Sequence, residues 1–220
     1  MKDFLKIMVF NIQLLKGKKY FLFVIICLIL PIALNLSTTI YFEMIIPISG
    51  TFLFSDIMAI EQQFGLAKQC AMTPYNKGLV FIARLIINFI FYIVMSFGFY
   101  AYLTIIQMNS IKDAFAQNDL NVVVLIFIVG GINFVFFGML SAFTSLLAKS
   151  TLVGLLVSLL YGIVWMGQYT NFPEWLINPY PYSAGIDDAY KYKIIYLIFS
   201  LILGFMEYML SKQRYGEFNY

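Results

Sequence analysis

Long apolar runs separated by short polar segments set the pattern of this 220-residue chain. A membrane-spanning helix needs roughly 20 mostly apolar residues, and the runs here are 17 to 29 residues long. The pattern therefore predicts an all-α integral membrane protein in which a single membrane domain covers residues 1–220. Six transmembrane helices are expected, at about 20–39, 42–60, 78–106, 121–147, 151–168 and 194–210.

Composition supports this class and excludes others. Hydrophobic residues make up 62% of the chain and charged residues 11%, with a mean hydropathy of +0.86, which is far from a soluble domain. The net charge of +3 is too small to indicate nucleic-acid binding. Histidine is absent, which excludes histidine-based catalysis and most zinc sites. Cys27 lies in an apolar run and Cys70 in a polar segment, which argues against a disulfide framework.

The first segment, 1–19, interleaves lysines with apolar residues at helical spacing. This pattern predicts an amphipathic helix lying on the membrane surface. The alternative is a signal peptide whose apolar core begins at Tyr20, and it is less favoured because the run is long and lacks a small-x-small cleavage site.

The basic residues are unevenly distributed around the predicted spans. With the N-terminus inside, only Lys112, Lys191 and Lys193 of the 14 basic residues lie outside. Cytoplasmic loops of membrane proteins carry an excess of lysine and arginine. The distribution therefore predicts a multi-pass protein of the cell membrane with both termini in the cytoplasm.

The most informative polar interruption is 61–77, which separates the second and third spans on the predicted cytoplasmic side. Its helical character ends at Thr73, because the residue before Pro74 is disfavoured in the helical conformation. We therefore expect a short cytoplasmic helix here to which a partner can bind. The candidate contact residues are Glu61, Phe64, Gly65, Leu66, Lys68, Thr73 and Pro74.

Polar residues inside the predicted spans form a second group of candidates, because each is costly in a membrane unless it is paired or faces water. Asp56 and Arg84 lie at similar depth on neighbouring spans, which predicts an ion pair that joins the two helices or stiffens the base of the 61–77 segment. Glu207 either competes for Arg84 or reaches the interface. The remaining members, Asn35, Asn88 and Asn133, either line a polar pathway or bond between helices.

Small residues recur every four positions in the fifth span, at Gly154, Ser158 and Gly162. This spacing places them on one helix face and allows a second helix to approach closely. Packing within the chain and contact with a second subunit are both consistent with the pattern.

The layout resembles the permease subunits of type-2 ATP-binding-cassette exporters over nearly the whole chain. The resemblance rests on a span ending in Glu61, then Gly65, then Thr73-Pro74 and a long following span. A second match is Pro173-Glu174-Trp175-Leu176 with Asn178-Pro179, which is similar to the family's external helical segment between spans five and six. The resemblance implies that 61–77 contains the coupling helix that docks on the ATPase subunit.

The 61–77 segment departs from the family in one respect. Further charged residues and a Gly-Thr or Gly-Ser pair often follow the acidic residue in the family, whereas Gln62, Gln63 and Gly65-Leu66 stand here. Because of this departure, we expect a weaker electrostatic contact with the ATPase subunit and a larger contribution to binding from Phe64, Leu66 and Lys68.

The chain contains no phosphate-binding loop, because Gly17-Lys18-Lys19 lacks the preceding glycine and the following Ser or Thr of a Walker motif. We therefore expect a non-enzymatic transporter subunit that binds no cofactor, with ATP and Mg on a separate ATPase chain. The expected partners are that ATPase, a second permease subunit in a homodimer or heterodimer, and membrane lipid, with no nucleic acid.

The predicted function is ATP-driven export of a hydrophobic or amphipathic substrate, with peptides included by family analogy. The alternative is a non-energised membrane immunity or binding protein that sequesters a peptide or toxin. A membrane-embedded hydrolase is the weakest possibility, because the chain has no histidine and no Gly-x-Ser-x-Gly elbow.

Overall fold

A computed structural model of the protein describes residues 9, 18–34, 41–55, 77–106, 120–168 and 189–216. These residues are helical apart from short turns, and no strand occurs among them, so the all-α class is confirmed for this part of the chain. The elements are α1 (Lys18–Ala33), a π-helical turn (Tyr41–Ile45) that continues into α2 (Ile46–Phe54), α3 (Lys77–Ile106), α4 (Leu120–Ala148), α5 (Thr151–Gln168) and α6 (Ala189–Gly216).

Three of these helices are long and apolar enough to cross a membrane. The qualifying segments are Gly78–Tyr102 in α3, Phe127–Ala148 in α4 and Lys193–Ser211 in α6. Two further apolar helices, Tyr41–Phe54 and Thr151–Trp165, are shorter. Such lengths and compositions are those of an integral membrane protein.

The helix bounds agree with the sequence pattern where a polar residue ends an apolar run. The described bounds of α3, α4 and α5 lie within one residue of the predicted spans. The ends of the first two predicted spans, 35–39 and 56–60, lie outside the described residues. The last helix differs, because α6 begins at Ala189 and so includes the end of the polar segment predicted to precede it.

A tight turn joins α4 to α5 at Lys149, whose φ is 54°. The Ser150 N–H donates to the Ser145 carbonyl at 3.1 Å, and the Lys149 N–H donates to the Leu146 carbonyl at 3.4 Å. This pair of bonds is the Schellman arrangement that ends many helices with a left-handed residue. The turn reverses the chain and places α5 against α4.

The central helix of the bundle is α4, which packs against α2, α5 and α6. Its contact with α2 is close, because a Cβ built on Gly50 would lie 2.3 Å from the Phe134 carbonyl oxygen. The Phe54 ring meets the Phe134 ring edge to face, with 5.4 Å between centroids. Aromatic side chains of the π-helical turn, α2, α3 and α4 make up half of the buried residues in the resulting core.

Side-chain contacts fix the relative directions of α2 and α3. At one end the Tyr41 hydroxyl donates to the Met95 carbonyl at 3.2 Å. At the other end the Asn88 amide donates to the Leu53 carbonyl at 3.0 Å. The residue numbers rise along one helix as they fall along the other, so the two helices are antiparallel.

The other helices continue this alternation. Ser158 on α5 bonds to Phe137 on α4, whereas Gly154 lies against Ser145, so α5 is antiparallel to α4. On α6, Lys193 contacts Asn133 and the Tyr196 ring meets the Phe136 ring edge to face, so α6 is parallel to α4. On α2, Gly50 lies against Phe134 and Phe54 lies against Gly138, so α2 is also parallel to α4. Helices α2, α4 and α6 therefore run in one direction, and α3 and α5 run in the other.

Candidate functional site: a buried polar cluster

The predicted coupling segment lies outside the residues that the structure describes. This holds for all seven of its candidate residues, so their roles remain predictions. Asn35 and Asp56 also lie outside the described residues. The proposed ion pair between Asp56 and Arg84 is therefore still a prediction, although Arg84 itself lies half-buried on α3.

Glu207 is fully buried on α6, with 0% of its surface exposed. Neither of its carboxylate oxygens accepts a hydrogen bond from any described residue, which includes Arg84. The expected alternatives were a contact with Arg84 and an escape to the interface. The structure places the side chain inside the helix bundle instead.

Asn88 lies buried between α3 and α2, and its amide donates to the Leu53 carbonyl at 3.0 Å. This bond joins the two helices, which is the more common use of a polar residue inside a membrane bundle. Asn88 thus has a helix-joining contact.

The small-residue face of α5 is buried within the chain at Gly154, Ser158 and Gly162. A Cβ built on Gly154 would lie 1.8 Å from the Ser145 Oγ, so only glycine allows this approach to α4. Ser158 donates to the Phe137 carbonyl at 3.0 Å, and its Oγ lies 3.0 Å from the Thr51 Oγ1. The face therefore packs against α4 and α2 of the same chain.

The most concentrated polar feature joins the π-helical turn, α4 and α6. The Lys193 Nζ donates to the Asn133 Oδ1 at 2.6 Å. The carboxylate of Glu43 interacts electrostatically with the same ammonium group. Lys193, Asn133 and Glu43 are only 2%, 1% and 4% exposed. We call these three residues the polar cluster.

The local sequence explains why Glu43 occupies a π-helical turn. Pro47 follows it by four residues and has no N–H to donate to the Glu43 carbonyl. A proline ring also clashes with the carbonyl four residues earlier, which displaces the regular hydrogen-bond ladder. The turn from Tyr41 to Ile45 widens accordingly, and it presents Glu43 to the interior of the bundle.

The orientation of the Asn133 amide follows from its neighbour. An ammonium group can only donate, so Asn133 must present its oxygen to Lys193. The Nδ2 group then points elsewhere, and it has no hydrogen-bond partner among the described residues. One donor of the cluster is therefore buried and unsatisfied in this arrangement.

Sequence reasoning missed two of the three members. Lys193 was expected outside, because lysines at span ends usually extend to the membrane surface. Glu43 was not identified at all, because it lies at the start of an apolar run. The available signal was two opposite charges, each at the start of a predicted span that runs in the same direction.

The cluster is suited to holding helices together. Its formal charges cancel, and its three members come from three separate elements. The described residues contain no group of His, Cys, Asp or Glu suited to a metal ion. No protein-family model, curated protein or solved structure matches this chain.

Proposed function

We propose that this chain is a six-span permease subunit of an ATP-driven exporter, with α1 to α6 as the cores of the six spans. The observation that carries the proposal is the alternation in direction from α2 to α6. A chain that crosses a membrane repeatedly must alternate in this way. Three of the helices have the length and composition of spans, and α5 is a shorter apolar helix of 18 residues.

The alternation also supports the role of the 61–77 segment. The end of α2 and the start of α3 lie at the same end of the bundle, together with the α4–α5 turn and the end of α6. The segment that connects α2 to α3 therefore emerges on that side, which also carries Lys149. Under the positive-inside rule this side is cytoplasmic, where a separate ATPase would be available.

The complete assembly in this proposal contains the chain, a second permease subunit and ATPase subunits, surrounded by lipid. The ATPase subunits hold ATP and Mg, and the export substrate is hydrophobic or amphipathic, with peptides as one class. Both termini of the chain are cytoplasmic. The support for this assembly is the resemblance described above together with the absence of a Walker motif from the chain.

The direct test is affinity purification of the tagged chain from its native membranes, followed by an assay of ATP hydrolysis. We expect an ATPase subunit to co-purify and to hydrolyse ATP. Glu61→Lys combined with Gly65→Trp should lower both recovery and substrate-stimulated hydrolysis without affecting membrane insertion. Lys149→Gln, a change in the neighbouring α4–α5 turn, is the matched control.

Two outcomes would contradict the proposal. Unchanged hydrolysis after both substitutions would show that 61–77 does not couple the subunits. Recovery of the intact chain without any ATPase would instead fit a non-energised binding or immunity protein.

A further inference from the structure

We propose that Glu43, Asn133 and Lys193 form a polar clasp that holds the start of α6 and the turn before α2 against the middle of α4, and that opens when α6 separates from α2 and α4. The Lys193–Asn133 hydrogen bond and the burial of all three side chains define the clasp. Its assignment to a transport step rests on the proposed function, but its opening can be measured on the isolated chain.

The three members meet because their helices run in the same direction. Glu43 lies in the turn before α2, and Lys193 lies near the start of α6. Asn133 lies on α4, which contacts both the π-helical turn and α6. The clasp therefore joins the starts of α2 and α6, which lie away from the predicted coupling segment, to the middle of α4.

The burial of Lys193 indicates that the interior contact is preferred over the surface. A lysine at the start of a span can normally extend its ammonium into the headgroup region. Here the side chain is 2% exposed and its ammonium donates to Asn133. A specific polar contact of Lys193 therefore holds α6, in addition to the apolar contacts around it.

A polar closure can open at lower cost than an apolar one. When buried apolar surfaces separate into water, the full transfer free energy is lost. When two opposite charges separate into water, both recover hydration, which offsets much of their lost attraction. The cluster therefore suits a contact that must be both specific and reversible.

Two features of the clasp favour movement. The π-helical turn that contains Glu43 and precedes Pro47 interrupts the regular pattern of helical hydrogen bonds. Such turns often occur at functional sites. The Asn133 Nδ2 finds no partner among the described residues, so the closed arrangement leaves a buried donor unsatisfied. Opening the clasp to water would satisfy that donor.

The test uses the reactivity of a buried cysteine in the purified full-length chain, held in lipid nanodiscs. Ser200→Cys is the reporter and Ser211→Cys is the matched control, on a background of Cys27→Ser and Cys70→Ser. Both serines are buried on α6, and each donates to the carbonyl three residues earlier. Ser200 lies nearer the clasp, whereas Ser211 lies at the opposite end of the span.

We expect Lys193→Met or Glu43→Gln to raise the alkylation rate of the Ser200→Cys reporter by at least tenfold, with little change at Ser211→Cys. The charge exchange, Glu43→Lys with Lys193→Glu, should bring the reporter rate back towards the native value. The exchange also keeps the test decisive if a single variant folds poorly.

An unchanged reporter rate in both single variants would overturn the clasp. Equal rises at the reporter and the control would also overturn it, because they indicate general loosening of the bundle. No ATPase is present in this experiment, so its failure would leave the proposed function to be judged by co-purification.

Discussion

The two ends of α6 carry buried charged residue types in contrasting surroundings. Lys193 donates to Asn133 and interacts with Glu43. Glu207 lies 14 residues further along, roughly 21 Å at the usual helical rise, and its carboxylate receives no hydrogen bond from any described residue. The two side chains are almost equally buried. Burial alone therefore does not show whether a charged side chain has a stabilising partner.

This difference in hydrogen bonding predicts that Lys193 and Glu207 contribute differently to the free energy of unfolding. A buried charge with complementary groups becomes costly when one partner is removed. A buried polar group without a donor is already costly, so its replacement should relieve the fold. The following substitutions test that distinction, from the largest expected effect to the smallest.

The largest effect is expected for Lys193→Met, which leaves Glu43 without its positive neighbour. The free energy of unfolding should fall by roughly 3 to 5 kcal/mol where water is excluded. Adding Glu43→Gln should recover a substantial part of that loss. Thermal unfolding in detergent measures all three variants, and strictly additive losses in the double variant would show that the two residues are not coupled.

The next effect separates the amide from the charge. Asn133→Leu removes a charge-assisted hydrogen bond, with an expected loss of about 1.5 to 3 kcal/mol. Asn88→Leu is the control, because that amide is equally buried but bonds a neutral carbonyl, and its expected loss is about 0.5 to 1.5 kcal/mol. Equal losses in an unfolding assay would mean that the charge of Lys193 adds nothing to its bond with Asn133.

A change of opposite sign is expected at the other end of the helix. Glu207→Met keeps a similar volume and removes a buried carboxyl group, so the isolated chain should gain roughly 1 to 3 kcal/mol. Thermal unfolding of the purified chain provides the measurement. A loss of stability would show that Glu207 has a favourable partner, and the contrast between the two ends of α6 would disappear.

The sequence was sufficient to predict the helices whose ends are marked by polar residues. The apolar runs 78–106, 121–147 and 151–168 predicted the bounds of α3, α4 and α5 within one residue. The three-residue gap between the predicted spans 121–147 and 151–168 also matches the turn at Lys149. These features are local, because each depends on composition and backbone preference over a few neighbouring residues.

The polar cluster could not be predicted in the same way. Glu43, Asn133 and Lys193 are separated by long stretches of chain, and their contact depends on which helices pack against α4. Periodicity gives the face of a helix but not the identity of its neighbour. Lys193 also matched the ordinary pattern of a span-end lysine that extends to the surface.

The central claim is that the chain crosses the membrane six times, with the predicted coupling segment inside and the polar cluster towards the outside. An impermeant thiol reagent applied to intact cells tests it most directly. Cysteines introduced at Asn118 and Asp187 should react from outside, whereas native Cys70 should react only after permeabilisation. Labelling of Cys70 in intact cells would contradict the orientation, and with it the proposed contact between the 61–77 segment and a cytoplasmic ATPase.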